Sequence, residues 1–301
     1  MVRERAVREA GAREPCATFD FASHEDLLLV WLRLSKIGGT TLQSHLNAWA
    51  RSFPTDIKRF FYGCDFYSNN RQKLRLGLSQ DRAFSLRAAR ARVAGEDIYD
   101  FQSCASIKYD LPDMDQRKDV RAVIGHQHYG AHKWFPGRTP VYLFVVRDNV
   151  DMLRSLYQYH SGGDIDAEKL RSLMLGGKND ADAHNSQLTV EACGPQLEVL
   201  CSVRDTLAAA TAQLNLAAQD TIYANFVDRP HETLRLLAHK LNFPELASRN
   251  TTEKVMPLGK QYKVLEVTED VRQEVRDANK WDVELFDFAD AQMDRQLQCL
   301  G

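Results

Sequence analysis

Lys36, Gly38, Gly39, Thr40 and Thr41 stand together in LRLSKIGGTTLQSHL, residues 32–46, between an apolar run and a stretch of helical period. Glycines let a chain turn tightly and approach a ligand closely. Backbone amides at the start of the following helix form an anion site, and the Lys36 ammonium can reach the same anion. A nucleotide-hydrolase loop reads GxxxxGK[ST], with lysine after the glycines; here lysine precedes them. The plainer alternative is a strand-to-helix turn beside a surface lysine.

A second set lies in VYLFVVRDNVDMLRSLYQYH, residues 141–160. Arg147 follows an apolar strand, where ligand groups sit in an open α/β sheet. Ser155 falls off the apolar stripe of the next helix. A guanidinium and a hydroxyl together suit a phosphate. The alternative is an Arg147–Asp148 surface pair, which contributes little.

Between these sets, VIGHQHYGAH holds His126, His128 and His132. Residues 126 and 128 share a face if the strand continues, and an imidazole suits a general base for a hydroxyl nucleophile. Two other readings stand beside this one. The three histidines could bind zinc, although no Asp, Glu or Cys stands close by in sequence to complete the set. Alternatively, one or both of His126 and His128 are hydrogen-bonded structural residues.

The elements that must hold these groups follow from apolar period. LLLVWLRL (27–34), residues 122–125, VYLFVV (141–146) and TIYANF (221–226) read as strands. Helical spacing starts at Thr40 and recurs over 149–160 and 230–241. A long amphipathic helix closes the chain, with a break near Asn279. Strands alternating with helices, and strands apolar throughout, predict an α/β fold with a mostly parallel sheet between helices. No Pro/Gly/Ser-rich linker divides the chain, which predicts a flexible lead-in over 1–20 and one domain over 21–301.

Strand–K-x-G-G-T-T–helix, then G-H-x-H-Y, then a strand ending in R-D-x-V-x-x-x-x-S-x-Y, resembles the Golgi-type carbohydrate sulfotransferases. The resemblance is closest to the 2-O-sulfotransferases of heparan and uronyl glycans and their bacterial relatives. It covers residues 27–159 and returns weakly at NKWDVELFDFA, residues 279–289. It implies a P-loop-like three-layer fold and sulfuryl transfer from 3′-phosphoadenosine 5′-phosphosulfate, without a metal, to a hydroxyl of a sugar or glycan. It further implies that Lys36 and the backbone of Gly38, Gly39, Thr40 and Thr41 hold the 5′-phosphosulfate, and that Arg147 and Ser155 hold the 3′-phosphate. His126 matches the family's base, and His128 is the other catalytic candidate. Ser35 and Ile37 replace the family's Pro and Thr beside Lys36, and Asn149 replaces the proline after Arg-Asp. Asn225 stands where relatives often carry an acidic residue.

Composition narrows the partners. The 301 residues carry a formal net charge of −2 with 44% hydrophobic and 27% charged residues, which gives no global bias toward nucleic acid or a membrane surface. No apolar run is long enough to span a bilayer. The N-terminal MVRERAVREAGAREP lacks the apolar core of a secretory signal. Six scattered cysteines without a CxxC predict reduced thiols and a cytoplasmic setting. With no anchor like that of the animal enzymes, a soluble protein of bacterial type is expected. Arg71, Lys73, Arg75, Arg82, Arg87, Arg90 and Arg92 are opposed only by Asp81; they form either a dock for an anionic glycan or a solvated helix face. Tyr129, Trp134 and Phe135 could stack on a sugar ring or fill a core turn. Two other functions compete: a P-loop phosphotransferase using ATP or GTP, and a non-catalytic nucleotide- or glycan-binding module.

Overall fold

The computed structural model describes residues 15–32, 37–53, 60–65, 120–126, 129, 132, 135–161, 163, 165–175, 213, 216–249 and 265–301; for Thr40, Asn47, Arg51, residues 60–65, Val120, residues 124–126, His160 and Leu173 it describes the backbone alone. Lys36, His128, Trp134 and the basic stretch 71–92 lie outside the described residues.

The sheet grows from two apolar strands. In β1 (Leu27–Leu32) the last five residues are buried, and so are the last five of β4 (Thr139–Val145). Strands buried on both faces belong in the middle of a parallel sheet. Accordingly β1 pairs in parallel with β4 on one side, Leu32 beside Phe144, and with β3 (Val120–His126) on the other, Leu32 beside Gly125. Outside these lie β2 (Phe60–Asp65), parallel to β3, and β5 (Asp220–Ala224), parallel to β4. The order is β2-β3-β1-β4-β5, so the chain leaves β1 toward one edge and later crosses to the other. Crevices at the carboxyl ends of strands flanking such a reversal are where open α/β sheets bind ligands.

Helices cover the sheet with the stripes their period predicts. Helix α1 (Gly39–Ser52) buries Leu42, Leu46 and Trp49. Helix α2 (Asn149–His160) buries Val150, Leu153 and Leu156, and a shorter α3 (Ala167–Met174) follows it. Beyond β5, α4 (Pro230–Lys240) starts with proline, whose missing N–H costs nothing there. The closing amphipathic stretch is two helices, α5 (Glu269–Ala278) and α6 (Lys280–Leu297), broken at Asn279 as its sequence predicts. Gln296 of α6 closes the open edge of β5: its Oε1 accepts from Tyr223 N at 3.1 Å and its Nε2 donates to Thr221 O at 2.7 Å.

The expectation of reduced thiols fails at one pair. Cys16 and Cys299 form a disulfide, with Cα atoms 5.2 Å apart across a sequence separation of 283. Spacing could not reveal it, because tertiary folding alone brings the two ends together. Residues 15–20 are fixed here as well. Phe19 N donates to Lys240 O at 2.7 Å, and the buried Lys240 ammonium donates to the carbonyls of Pro15 and, at 2.8 Å, Ala17. No helix of the described residues is long and apolar enough to cross a membrane.

Candidate functional site

The parallel register brings the ends of β1, β3, β4 and β5 to one edge of the sheet. The turn after β1 is shaped by glycine. Gly38 has φ 79° and ψ 15°, a left-handed conformation that strains other residues. A Cβ there would sit 2.9 Å from Phe226 Cδ1 and 3.1 Å from Val227 Cγ2, so backbone is all that fits against the chain leaving β5. Gly38 O accepts the α1 hydrogen bond from Leu42 N at 3.1 Å, and Gly39 opens the helix. By helix geometry the first-turn amides point out of the N-terminus, and the first turn carries no acidic residue to compete for an anion. Thr41 is half-buried in that turn.

The turn after β4 is shaped by side chains. Val146 N still bonds to Ala224 O at 2.8 Å, and Arg147 follows, half-buried. Burial lowers the guanidinium from its ordinary pKa. The charges of Asp151, Asp228 and Asp148 oppose that shift, while Arg154 adds to it. Asp148 caps α2 by accepting from Asp151 N at 3.1 Å. Its carboxylate also accepts from Arg272 and from Arg276 of α5, each at 3.1 Å. Asp148 thus pairs with α5, and its charge acts on Arg147 as well.

Asn149, the departure from proline, is buried and donates from Nδ2 to the equally buried Asp282 of α6 at 3.2 Å. The late N-x-x-D segment is thus a brace for this turn. Asn279 holds the α5–α6 break by donating to Val275 O at 2.8 Å. Ser155 is half-buried one helical turn beyond Asp151, on the face that carries the carboxylate foremost among those acting on Arg147.

His126 is the last residue of β3, level with Asp65 of β2, which puts its backbone at the same edge. His132 is structural. Its Nδ1 and the buried Tyr142 hydroxyl share a hydrogen bond of 2.6 Å. Tyr129 stacks on Tyr142, centroids 5.0 Å apart, and accepts from Gln219 at 3.2 Å; burial raises its phenol pKa. Phe135 is buried in the core. These two aromatics therefore fill the turn rather than await a sugar.

Asn225 turns the chain out of β5. Its Nδ2 donates to Asp290 at 3.4 Å and its Oδ1 accepts from Asp228 N at 3.3 Å. Arg229 then pairs with Glu232, with Asp290 at 3.2 Å and with Asp294 at 2.7 Å. The sequence reading overlooked Asp228, Arg272 and Arg276. Arg272 and Arg276, four residues apart and on one face of α5, were the available signal for the last two.

Compared with known proteins, the chain matches no protein-family model and no curated relative.

Proposed function

We propose that this protein is a sulfotransferase, moving a sulfuryl group from 3′-phosphoadenosine 5′-phosphosulfate to a hydroxyl, foremost that of a carbohydrate, on a P-loop-like α/β fold. The observation that carries the reading is the left-handed Gly38 turn, which only backbone can fill, opening on the same sheet edge as half-buried Arg147. One turn offers amides to an anion, and the other offers a guanidinium and the Ser155 hydroxyl. That pairing fits a nucleotide with phosphate groups at two positions.

In this reading the acceptor oxygen forms a bond to sulfur as the bond from sulfur to the 5′-phosphate oxygen breaks. Adenosine 3′,5′-bisphosphate leaves. Lys36 and the Gly39–Thr41 amides stabilise charge growing on the departing phosphate. His126 takes the acceptor proton, a contribution of about 10²–10⁴-fold in rate, and His128 orients the acceptor. The test is transfer of labelled sulfate from the nucleotide donor across a panel of hydroxyl acceptors. Label on at least one acceptor, lost in His126→Ala, is expected. An intact donor across the panel, together with turnover of ATP and Mg²⁺, would replace the reading with phosphotransfer.

A further inference from the structure

Residues 15–19 belong to no helix or strand, and Pro15, Cys16 and Thr18 are exposed. Such a strap buries little apolar surface of its own. Its noncovalent hold is on the end of α4. The Lys240 ammonium donates to the carbonyls of Pro15 and, at 2.8 Å, Ala17, and Phe19 N donates to Lys240 O at 2.7 Å. Lys240 is buried, so its ammonium gains these carbonyls only by giving up hydration, and the net hold is small.

What lies on either side of the strap is held firmly. Cys299 sits in the 3-10 turn Gln298–Leu300, just after Gln296, whose side chain bonds to Tyr223 and Thr221 of β5. After the strap, Asp20 accepts from Ala22 N at 3.0 Å, Ser23 N at 3.2 Å and His24 N at 3.0 Å, and buried Phe21 meets Trp49 edge-on with centroids 5.3 Å apart. The Cys16–Cys299 bond thus ties a lightly held strap to a fixed helix end.

We propose that Cys16–Cys299 and Lys240 form a redox-operated clasp: reduction of the disulfide by a dithiol releases residues 15–19 from α4, while α6 and the chain from Asp20 onward stay in place. Cys16 is exposed and Cys299 half-buried, so a reductant reaches the bond. The dithiol supplies two electrons and two protons: the S–S bond breaks, each sulfur becomes a thiol, and the dithiol closes to a disulfide. Without the tether, the opened strap regains its conformational freedom, and the contacts with α4 must offset that entropy alone. The clasp does not depend on the proposed activity.

The experiment is hydrogen exchange of the full chain, read at single amides by nuclear magnetic resonance, with the disulfide intact and in dithiothreitol. Exchange at Phe19 N–H should rise by about a hundred-fold on reduction. Cys299→Ser should reproduce that rise without reductant. Lys240→Met, which keeps the apolar stem and removes the ammonium, should raise exchange by about ten-fold with the disulfide intact. In the reduced chain the Phe19 rate should be indifferent to low urea, the mark of local opening, whereas that of Tyr223 N–H, held by Gln296, should climb with urea. Exchange at Phe19 that ignores reduction, or ignores Lys240→Met, overturns the clasp. Phe19 and Tyr223 exchanging at one rate and climbing together with urea overturns it too, because the strap then opens only when the whole fold does. So does alkylation of both Cys16 and Cys299 as thiols in protein purified without reductant.

Discussion

Two turns follow the neighbouring strands β1 and β4 at the carboxyl edge of the sheet, and they are made in opposite ways. The turn after β1 is a backbone device: a left-handed Gly38 packed against Phe226 and Val227, then the amides of α1. The turn after β4 is a side-chain device. Asp148 and Asn149, which follow Arg147, stay in place because Arg272, Arg276 and Asp282 reach them from residues 124 to 133 positions later in the chain. A backbone device depends on its own few residues and tolerates no side chain. A side-chain device can be dismantled from a distance, one partner at a time.

Gly38→Ala should have the largest effect. The left-handed conformation and the 2.9 Å approach to Phe226 together make about 3–4 kcal/mol of lost stability the expected result. Urea unfolding would show it as a lower midpoint, and a midpoint like wild type would mean the turn is not under the constraint described. Reducing the Cys16–Cys299 disulfide should cost about 2–5 kcal/mol. Bisphosphate affinity should not change, because Cys299 lies beyond the end of α6, whereas Asp290 is the α6 residue that meets the chain leaving β5. Thermal unfolding with and without dithiol, followed by titration of the reduced protein, checks both halves.

Arg147→Ala should leave stability nearly intact and weaken the bisphosphate by about 1.5–3 kcal/mol, the worth of a charge-assisted phosphate contact. Asp282→Ala removes no ligand group yet strands the buried Asn149 amide, at about 1–3 kcal/mol of stability by urea unfolding. If its loss were below a few tenths of a kcal/mol, the brace from α6 would be idle. The smallest change should come from Arg171→Ala. Its pair with Glu274 is about half exposed on both sides, so solvent screens it and the urea midpoint should stay close to that of wild type.

The contrast between the turns also explains what could be read beforehand. Central strands β1 and β4 announce themselves because burial on both faces leaves no polar alternation, and the α5–α6 break at Asn279 shows in the helical period. The edge strand β2, FFYGCD, gives no such signal, since it is short and interrupted by Gly63. The glycine turn was legible because all its constraints lie within a few residues. The support of Arg147 was not: nothing near Asp148 says which arginines will reach it, and Asn149 looked like a bare departure from proline until Asp282 was seen to bind it. Likewise the aromatics Tyr129 and Phe135 could be assigned only once Tyr142 and the core were known to enclose them, and Cys16 could be paired only after folding brought Cys299 beside it.

The central claim is that these two turns hold a nucleotide bearing phosphate groups at both ends of its ribose. Isothermal titration with adenosine 3′,5′-bisphosphate, beside ATP with Mg²⁺, tests it most directly. The account predicts saturable binding of the bisphosphate without added metal, lost on Arg147→Ala, and binding of ATP with Mg²⁺ that is at least ten-fold weaker, on the order of 1.4 kcal/mol. Tighter binding of ATP with Mg²⁺, or bisphosphate binding indifferent to Arg147, would contradict it.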